Sequence, residues 1–344
     1  MPGTDHTDLN KAGSITADAT LVGSGSWATA MAMVLTANGR RISWYIDRPE
    51  IYRHVRRYGR NPFYLPAVEL DLNLINPTDD IHAAANASGV IILVTPAAYL
   101  KAALERVETA DLAGKTVCSG IKGIIPGDNC VTGEYLIRRY LIPDENIVII
   151  TGPSHAEEVA MEKLTYLTFA SRNREKAASV ASLFSNRWIM TLISEDFIGT
   201  EYAAVMKNIY AIAAGIANGL AYGDNFIAVL LANAAGEMSR FVTAMSPLNR
   251  EITESPYLGD LLVTGYSQFS RNRNLGFMIG KGYTVRNALL EMNQVAEGYF
   301  ASLRIHEVNE NLKADIPIAE TVYRILYTNA NPVRELKSLS KKLK

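Results

Sequence analysis

Residues 19–22, Ala-Thr-Leu-Val, run straight into Gly23-Ser24-Gly25-Ser26-Trp27-Ala28, and an apolar helical stretch over 29–38 follows before Gly39. Few short patterns restrict a fold as much as strand, G-x-G-x-x-A, helix, because this order points backbone N–H groups at a phosphate from a helix N-terminus. Gly23 permits the tight turn, Gly25 lets the backbone approach a pyrophosphate, and Ala28 keeps helix and strand close. Taken alone the pattern is common. Here the next strand, 42–46, leads into Asp47, 22 residues past Gly25. An acid at that point accepts hydrogen bonds from ribose hydroxyls and repels a 2′-phosphate. Together they predict a dinucleotide-binding domain that favours NAD. Arg40, Arg41 and Arg48 around the same strand leave NADP possible.

Further βα alternation follows. Residues 90–94 form a continuous apolar run, as parallel strands covered on both faces do, and end in Thr95-Pro96 at the edge where a cofactor would lie. Residues 115–119 open into Gly120-Ile121-Lys122-Gly123. Residues 146–150 lead into Thr151-Gly152-Pro153-Ser154-His155-Ala156. Lys122 reads either as a solvated loop lysine or as a cation at the cofactor edge, and His155 either as a packing or capping residue or as an acid–base group. From Asp196 onward the apolar period becomes 3.6, with helices predicted near 200–222, 225–246, 284–312 and 315–328. The expected fold is α/β: a flexible tail (1–18), a doubly wound Rossmann-type dinucleotide domain (19–195) and an all-helical substrate domain (196–344).

The first of those helices carries Lys207-Asn208 in the middle of a run of Ala, Ile, Val and Met. A buried ammonium is costly. Either the stem snorkels to water, or the lysine faces a polar cleft as a proton-transferring group of lowered pKa. The charge and amide at its centre argue against a membrane span. Gly215 and Gly219 read as close helix packing. Beyond 257–264, Tyr-Leu-Gly-Asp-Leu-Leu-Val-Thr, comes Ser270-Arg271-Asn272-Arg273-Asn274. It reads as a solvated polar turn, or as one that offers a guanidinium fork and an amide to a phosphate dianion.

Composition narrows the partners. A formal net charge of -1 gives no reason to expect nucleic acid. Cys118 and Cys130 lack metal-ligand spacing and make no disulfide framework, so a reducing cytoplasm fits and no metal is expected. The first 18 residues have no apolar core, unlike a signal peptide. The arginines at 53, 56, 57 and 60 and the closing LKSLSKKLK read as a solvated face and tail, with contact to anionic lipid as the alternative for the tail.

Several of these motifs, in this order, resemble the soluble, bacterial-type NAD(P)-dependent sn-glycerol-3-phosphate dehydrogenases. They are GSGSWATAMA, the Ile121-Lys122-Gly123 loop, GPSHAEEV, the Lys207-Asn208 helix with GLAYGDN behind it, GDLLVT, SRNR and VAEG. The resemblance spans nearly the whole chain after the tail. It implies reversible reduction of dihydroxyacetone phosphate to sn-glycerol 3-phosphate for phospholipid synthesis, in a cytoplasmic homodimer without stable membrane insertion. Lys207 is implied as the general acid, Lys122 as its cationic companion, and Asp260 and Thr264 as orienting groups. Arg271 and Asn272, assisted by Asn208, would anchor the phosphate, with Gly152 and Ser154 also at the substrate. Cofactor contacts are implied for Gly23, Ser24, Gly25, Ser26, Trp27, Ala28, Asp47, Pro96, Lys122, Ala156, Arg271 and Glu297. The chain departs from the family at Ala28, at Glu254-Ser255-Pro256-Tyr257-Leu258 before Gly259-Asp260, at Gly265 and at Asn233-Ala234-Ala235. The segment before Asp260 must therefore take another path. Two rival readings are a 3-hydroxyacid dehydrogenase of the 6-phosphogluconate dehydrogenase type and a catalytically silent NAD-binding sensor.

Overall fold

The computed structural model describes residues 17–292 and 295–344. Eight strands form one sheet, β1 (Ala19–Val22), β2 (Ile42–Tyr45), β3 (Ile75–Thr78), β4 (Val90–Leu93), β5 (Thr116–Ser119), β6 (Ile147–Thr151), β7 (Thr165–Ala170) and β8 (Ile189–Ser194). Their order across the sheet is β3-β2-β1-β4-β5-β6-β7-β8, parallel except where β7 meets β6. The first six follow the doubly wound order, with its crevice at the β1/β4 switch point. The register explains the apolar runs. Leu21 lies between Trp44 and Ile92, and both faces of these strands are buried, one under α1 (Ser26–Ala37) and α2 (Arg174–Phe184), the other under helices such as that of Thr132–Tyr140. Strands β3, β7 and β8 escaped the sequence reading. Pro77 breaks the pattern of β3, which tolerates it as an edge strand. In β8, exposed Met190 and Leu192 alternate with better-buried residues.

After Ser194 the chain is helical: α3 (Phe197–Gly219), α4 (Asp224–Met245), α5 (Asp260–Tyr266), α6 (Arg271–Gly280), α7 (Glu297–Leu312), α8 (Pro317–Tyr327) and α9 (Pro332–Leu339). Every residue of α3 but Ile198 and Asn218 is buried. It is the axis around which the other helices pack. Helix α4 has the length and hydropathy of a membrane span, but its inner face, including Leu230, Ala234, Met238 and Phe241, belongs to the protein core.

Three sequence expectations change. The helix foreseen at 284–312 is two, Val285–Glu291 and Glu297–Leu312. This break sets Glu297 at a helix start. The Arg271-Asn272 pair lies not in a turn but in the first turn of α6, capped by Ser270, whose side chain accepts from Arg273 N. Its apolar residues, Leu275 and Ile279, come too late in a polar segment to announce a helix. The C-terminal lysine run is also not a free tail, since Leu336 and Leu339 are buried and Asn233 exchanges hydrogen bonds of 2.8 and 3.1 Å with Lys344. Of the tail expected at 1–18, residues 1–16 lie outside the described residues. Ala17 and Asp18 are tied to the sheet through Ala87 O and Arg41 O.

Helices α3 and α6 approach through two reciprocal G-x-x-x-G faces. A Cβ at Gly215 or Gly219 would overlap the Arg273 or Phe277 carbonyl, and one at Gly276 or Gly280 would overlap the carbonyl of Ile212 or Ile216. This contact carries Asn272 to Asn208. Gly215→Val is predicted to destabilise the fold by about 3 kcal/mol or more, because the overlap is with backbone that cannot yield. Urea unfolding checks it, and an unchanged midpoint would contradict the seam.

Candidate active site

The glycine turn is built for an anion. Gly23 has φ +132° and packs so tightly that a Cβ would stand 2.9 Å from Thr95 N, whereas the space in front of Gly25 is open. Helix α1 begins there with no side-chain cap and no acid in its first turn, so its leading N–H groups face the cleft without a partner from the chain. Ser24 Oγ donates to Asp47 Oδ1 at 2.7 Å, which fixes the carboxylate at the end of β2. Asn61 is fully buried. Its amide donates to Ser24 O at 3.0 Å and Thr29 Oγ1 at 2.9 Å, holding the turn from behind. Sequence reasoning missed Asn61, which lies in an irregular segment with no periodic signal. These features fit a dinucleotide: an open cradle, a helix N-terminus and an acid beyond the second strand.

A cleft of about 800 Å³ runs from this turn to the middle of α3. Ser24, Gly25, Ser26, Trp27, Asp47, Pro96, Lys122, Ser154, Ala156, Lys207, Asn208, Asp260, Thr264, Arg271, Asn272 and Glu297 all line it. Three of the sequence candidates do not. Gly23 and Ala28 pack behind the turn, and Gly152 contributes only its carbonyl, to Lys122. Tyr64, Tyr99, Phe269, Tyr299 and Phe300 add an aromatic lining that carried no motif in the sequence.

At the far end of the cleft, Asp260 is clamped between two ammonium groups. Its Oδ1 meets Lys207 Nζ and its Oδ2 lies 3.2 Å from Lys122 Nζ. Lys122 also donates to Gly152 O at 2.9 Å and Ser154 Oγ at 3.3 Å. Lys207 therefore does not snorkel; it is 5% exposed. Burial lowers its pKa, Asp260 pushes back, and Lys122 lowers it further, leaving it near 7. Burial pushes the Asp260 carboxyl up, but Lys122 and Lys207 outweigh it and hold it below the usual range. The result is a side chain that can lose a proton as an ammonium and regain it as an amine near neutrality. His155 also faces the lysines. Burial first, then Lys207 and Lys122, lower its pKa below the ordinary histidine value.

The two asparagines form a relay between elements. Asn208 donates to Lys122 O at 2.7 Å and accepts from Asn272 at 2.9 Å, while Asn272 accepts from Gly298 N at 2.8 Å. They tie α3, α6, α7 and the Lys122 loop together, leaving Asn208 no free amide hydrogen for a phosphate, since its second contact is Ala204 O. Arg271 is exposed at the cleft wall and makes no ion pair among the described residues. Glu297 accepts from Ala97 N at 3.1 Å across the cleft, and burial pushes its pKa up to about 7. Gly123 makes room for it, since a Cβ there would meet the carboxylate.

A dinucleotide turn facing a lysine–carboxylate–lysine triad across one cleft is the layout of a two-domain nicotinamide-dependent dehydrogenase. Comparison with known proteins narrows the class. The family descriptions "NAD-dependent glycerol-3-phosphate dehydrogenase N-terminus" and "C-terminus" match residues 18–177 and 196–337. The glycerol-3-phosphate dehydrogenase [NAD(P)+] of Prosthecochloris aestuarii is 35% identical over 317 residues, 92% of this chain and 95% of that one. The protein of the same name from Geobacillus thermodenitrificans is 33% identical over 321 residues, 93% of each. The crystal structure of glycerol-3-phosphate dehydrogenase from Coxiella burnetii superposes with a TM-score of 0.87 at 26% identity, covering 94% of this chain and 99% of that one. The chain belongs to the NAD-dependent glycerol-3-phosphate dehydrogenase family.

Removing the charge between the lysines tests the triad. Asp260→Asn leaves buried Lys207 and part-buried Lys122 without their counter-ion, and we expect a loss of about 3–5 kcal/mol at pH 6, where Lys207 of the unaltered protein still carries its proton. Because Lys207 then loses its proton more readily, part of that loss should be recovered as pH rises. Urea unfolding at several pH values checks this, and a pH-independent loss would contradict it.

Proposed function

We propose that the protein is an NAD-dependent sn-glycerol-3-phosphate dehydrogenase that reduces dihydroxyacetone phosphate reversibly, in the cytoplasm and as a homodimer. A nucleotide unit at 19–195 and a helical substrate unit at 196–344 would share the cleft, and the product would supply the glycerol backbone of phospholipids. The observation that carries this reading is the Lys122–Asp260–Lys207 triad, which opens into the same cleft as the glycine turn and Arg271. Bound NADH supplies the hydride. Lys207 delivers a proton to the ketone oxygen as it becomes an alkoxide, and in the reverse direction takes it back from the hydroxyl. Lys122 adds positive charge beside that oxygen, where charge develops in the transition state. Asp260 keeps Lys207 aimed and protonated near neutral pH.

Arg271 is the phosphate anchor in this reading: a guanidinium at the start of α6, where unpaired backbone N–H groups add to its attraction for a dianion. Asn272 and Asn208 support it by fixing that helix start against α3. Asp47, held by Ser24, takes the adenosine ribose hydroxyls and disfavours a 2′-phosphate.

Purified protein is expected to oxidise NADH with dihydroxyacetone phosphate, and Lys207→Met to lose roughly 10³-fold or more in kcat. NADPH should be the poorer cofactor, and equal rates would overturn the role of Asp47. The pH dependence follows from the proton on Lys207. Reduction needs the ammonium, present below about pH 7 and lost above it, so kcat for reduction should fall, and kcat for oxidation rise, as pH passes through 7. The same slope for both directions would exclude Lys207 as the proton donor.

A further inference from the structure

The segment that departs from the family, Glu254-Ser255-Pro256-Tyr257-Leu258, leads directly into Asp260, and the structure shows what holds it. Residues Ser255–Gly259 form one wide helical turn that continues into α5, whose first residue is Asp260. Tyr257 is 2% exposed, and its hydroxyl donates to Asp196 Oδ2. Asp196 is the N-cap of α3, accepting from Gly199 N at 3.0 Å. Arg250 completes the cluster. Its Nη2 donates to Asp196 Oδ1 at 2.9 Å, its Nε to Oδ2, and its Nη1 to Ser246 O at 2.7 Å at the end of α4. The side chains of Arg250 and Asp196 are 3% and 7% exposed. Gly199 leaves space for this cluster, because a Cβ there would overlap the Asp196 carboxylate.

Helix α3 thus grips the segment before α5 twice: at its head through Asp196 with Arg250 and Tyr257, and eleven residues on through Lys207 with Asp260. We propose that Asp196, Arg250 and Tyr257 form a positioning clamp that fixes Asp260 against Lys207. The inference rests on the reading of Lys207 as the proton donor. A buried charge-assisted network holds geometry tightly, and an ion pair that is also a hydrogen bond weakens as its alignment is lost. None of the three clamp residues touches the cleft.

The groups that bear on the outcome are few. Lys207 is faced by Asp260 from α5, by Lys122 from the loop after β5 and by His155 from the head of the Ala156–Ala160 helix. Tyr257 is faced by Asp196, Arg250 and Glu254. Asp260 raises the proton affinity of Lys207, so loosening it moves the high-pH limb of reduction to lower pH.

The test is the kcat–pH profile of dihydroxyacetone phosphate reduction for Tyr257→Phe and Arg250→Lys, beside Glu237→Gln. Glu237 is a buried glutamate elsewhere in the helical region, where it accepts from Ala319 N at 3.2 Å. Both clamp variants should lose roughly threefold to tenfold in kcat with KM for NADH unchanged, and the limb should shift down by about half a pH unit. The control should lose stability and keep the limb in place. A limb unmoved in a folded clamp variant overturns the proposal, and Arg250→Lys decides if Tyr257→Phe fails to fold. If the wild-type chain does not turn over this substrate, the function fails separately. The clamp is then read from the pH dependence of Lys207 modification by a small amine-reactive probe, with the same shift supporting it and no shift overturning it.

Discussion

One carboxylate held between two ammonium groups at the end of the cleft sets the terms for the rest of the structure. Burying Asp260 and Lys207 is expensive, and their attraction, with that of part-buried Lys122, offsets that cost only when the geometry is held and the remaining donors are satisfied. Asp260 comes from α5, Lys207 from α3 and Lys122 from the loop after β5, three elements that the chain must bring together from far apart in sequence. Much of the surrounding architecture answers that demand. The glycine faces of α3 and α6 let the helices touch at backbone distance. The Asn208–Asn272 relay then ties α3 to α6, to Gly298 and to the Lys122 backbone.

The same cluster accounts for a lysine whose pKa lies near neutrality. Burial has the largest effect on Lys207 and lowers its pKa, and Asp260 opposes it. Lys122 shares the carboxylate and tips the balance back, so the pKa settles near 7. The same two lysines, with burial, lower the pKa of His155 beside them. Substrate in the cleft would displace water from the same groups and strengthen each interaction.

The sequence disclosed the parts that obey local rules. The strand–glycine–helix entry, the buried parallel strands, the switch to helices after Asp196 and the odd lysine in an apolar helix could all be read from period and residue type. The resemblance to a family supplied the substrate and the grouping of Lys122, Lys207 and Asp260, which local pattern cannot give because they meet only through tertiary contacts. Other features stayed hidden for physical reasons. Asn61 sits in irregular backbone and shows its value only through what it bonds. Helix α6 opens on a polar run and is stabilised by its glycine contact with α3 rather than by an amphipathic stripe. The altered segment before Asp260 looked like a weakness, because neither Arg250 nor Tyr257 signals that it will meet Asp196 across the fold. Gly265 has a similar explanation: the Leu231 side chain occupies the space a Cβ would take.

The central claim is that this triad tunes Lys207 to titrate near neutrality. The most direct measurement is the ¹⁵Nζ titration of lysine-labelled protein, with the Lys207 resonance assigned by its loss in Lys207→Arg. A midpoint near 7, moving to lower pH in Asp260→Asn, is the predicted result. A midpoint that stays near the ordinary lysine value, about 10.4, would show that Lys207 remains a fixed charge, and the account of proton transfer would fall with it.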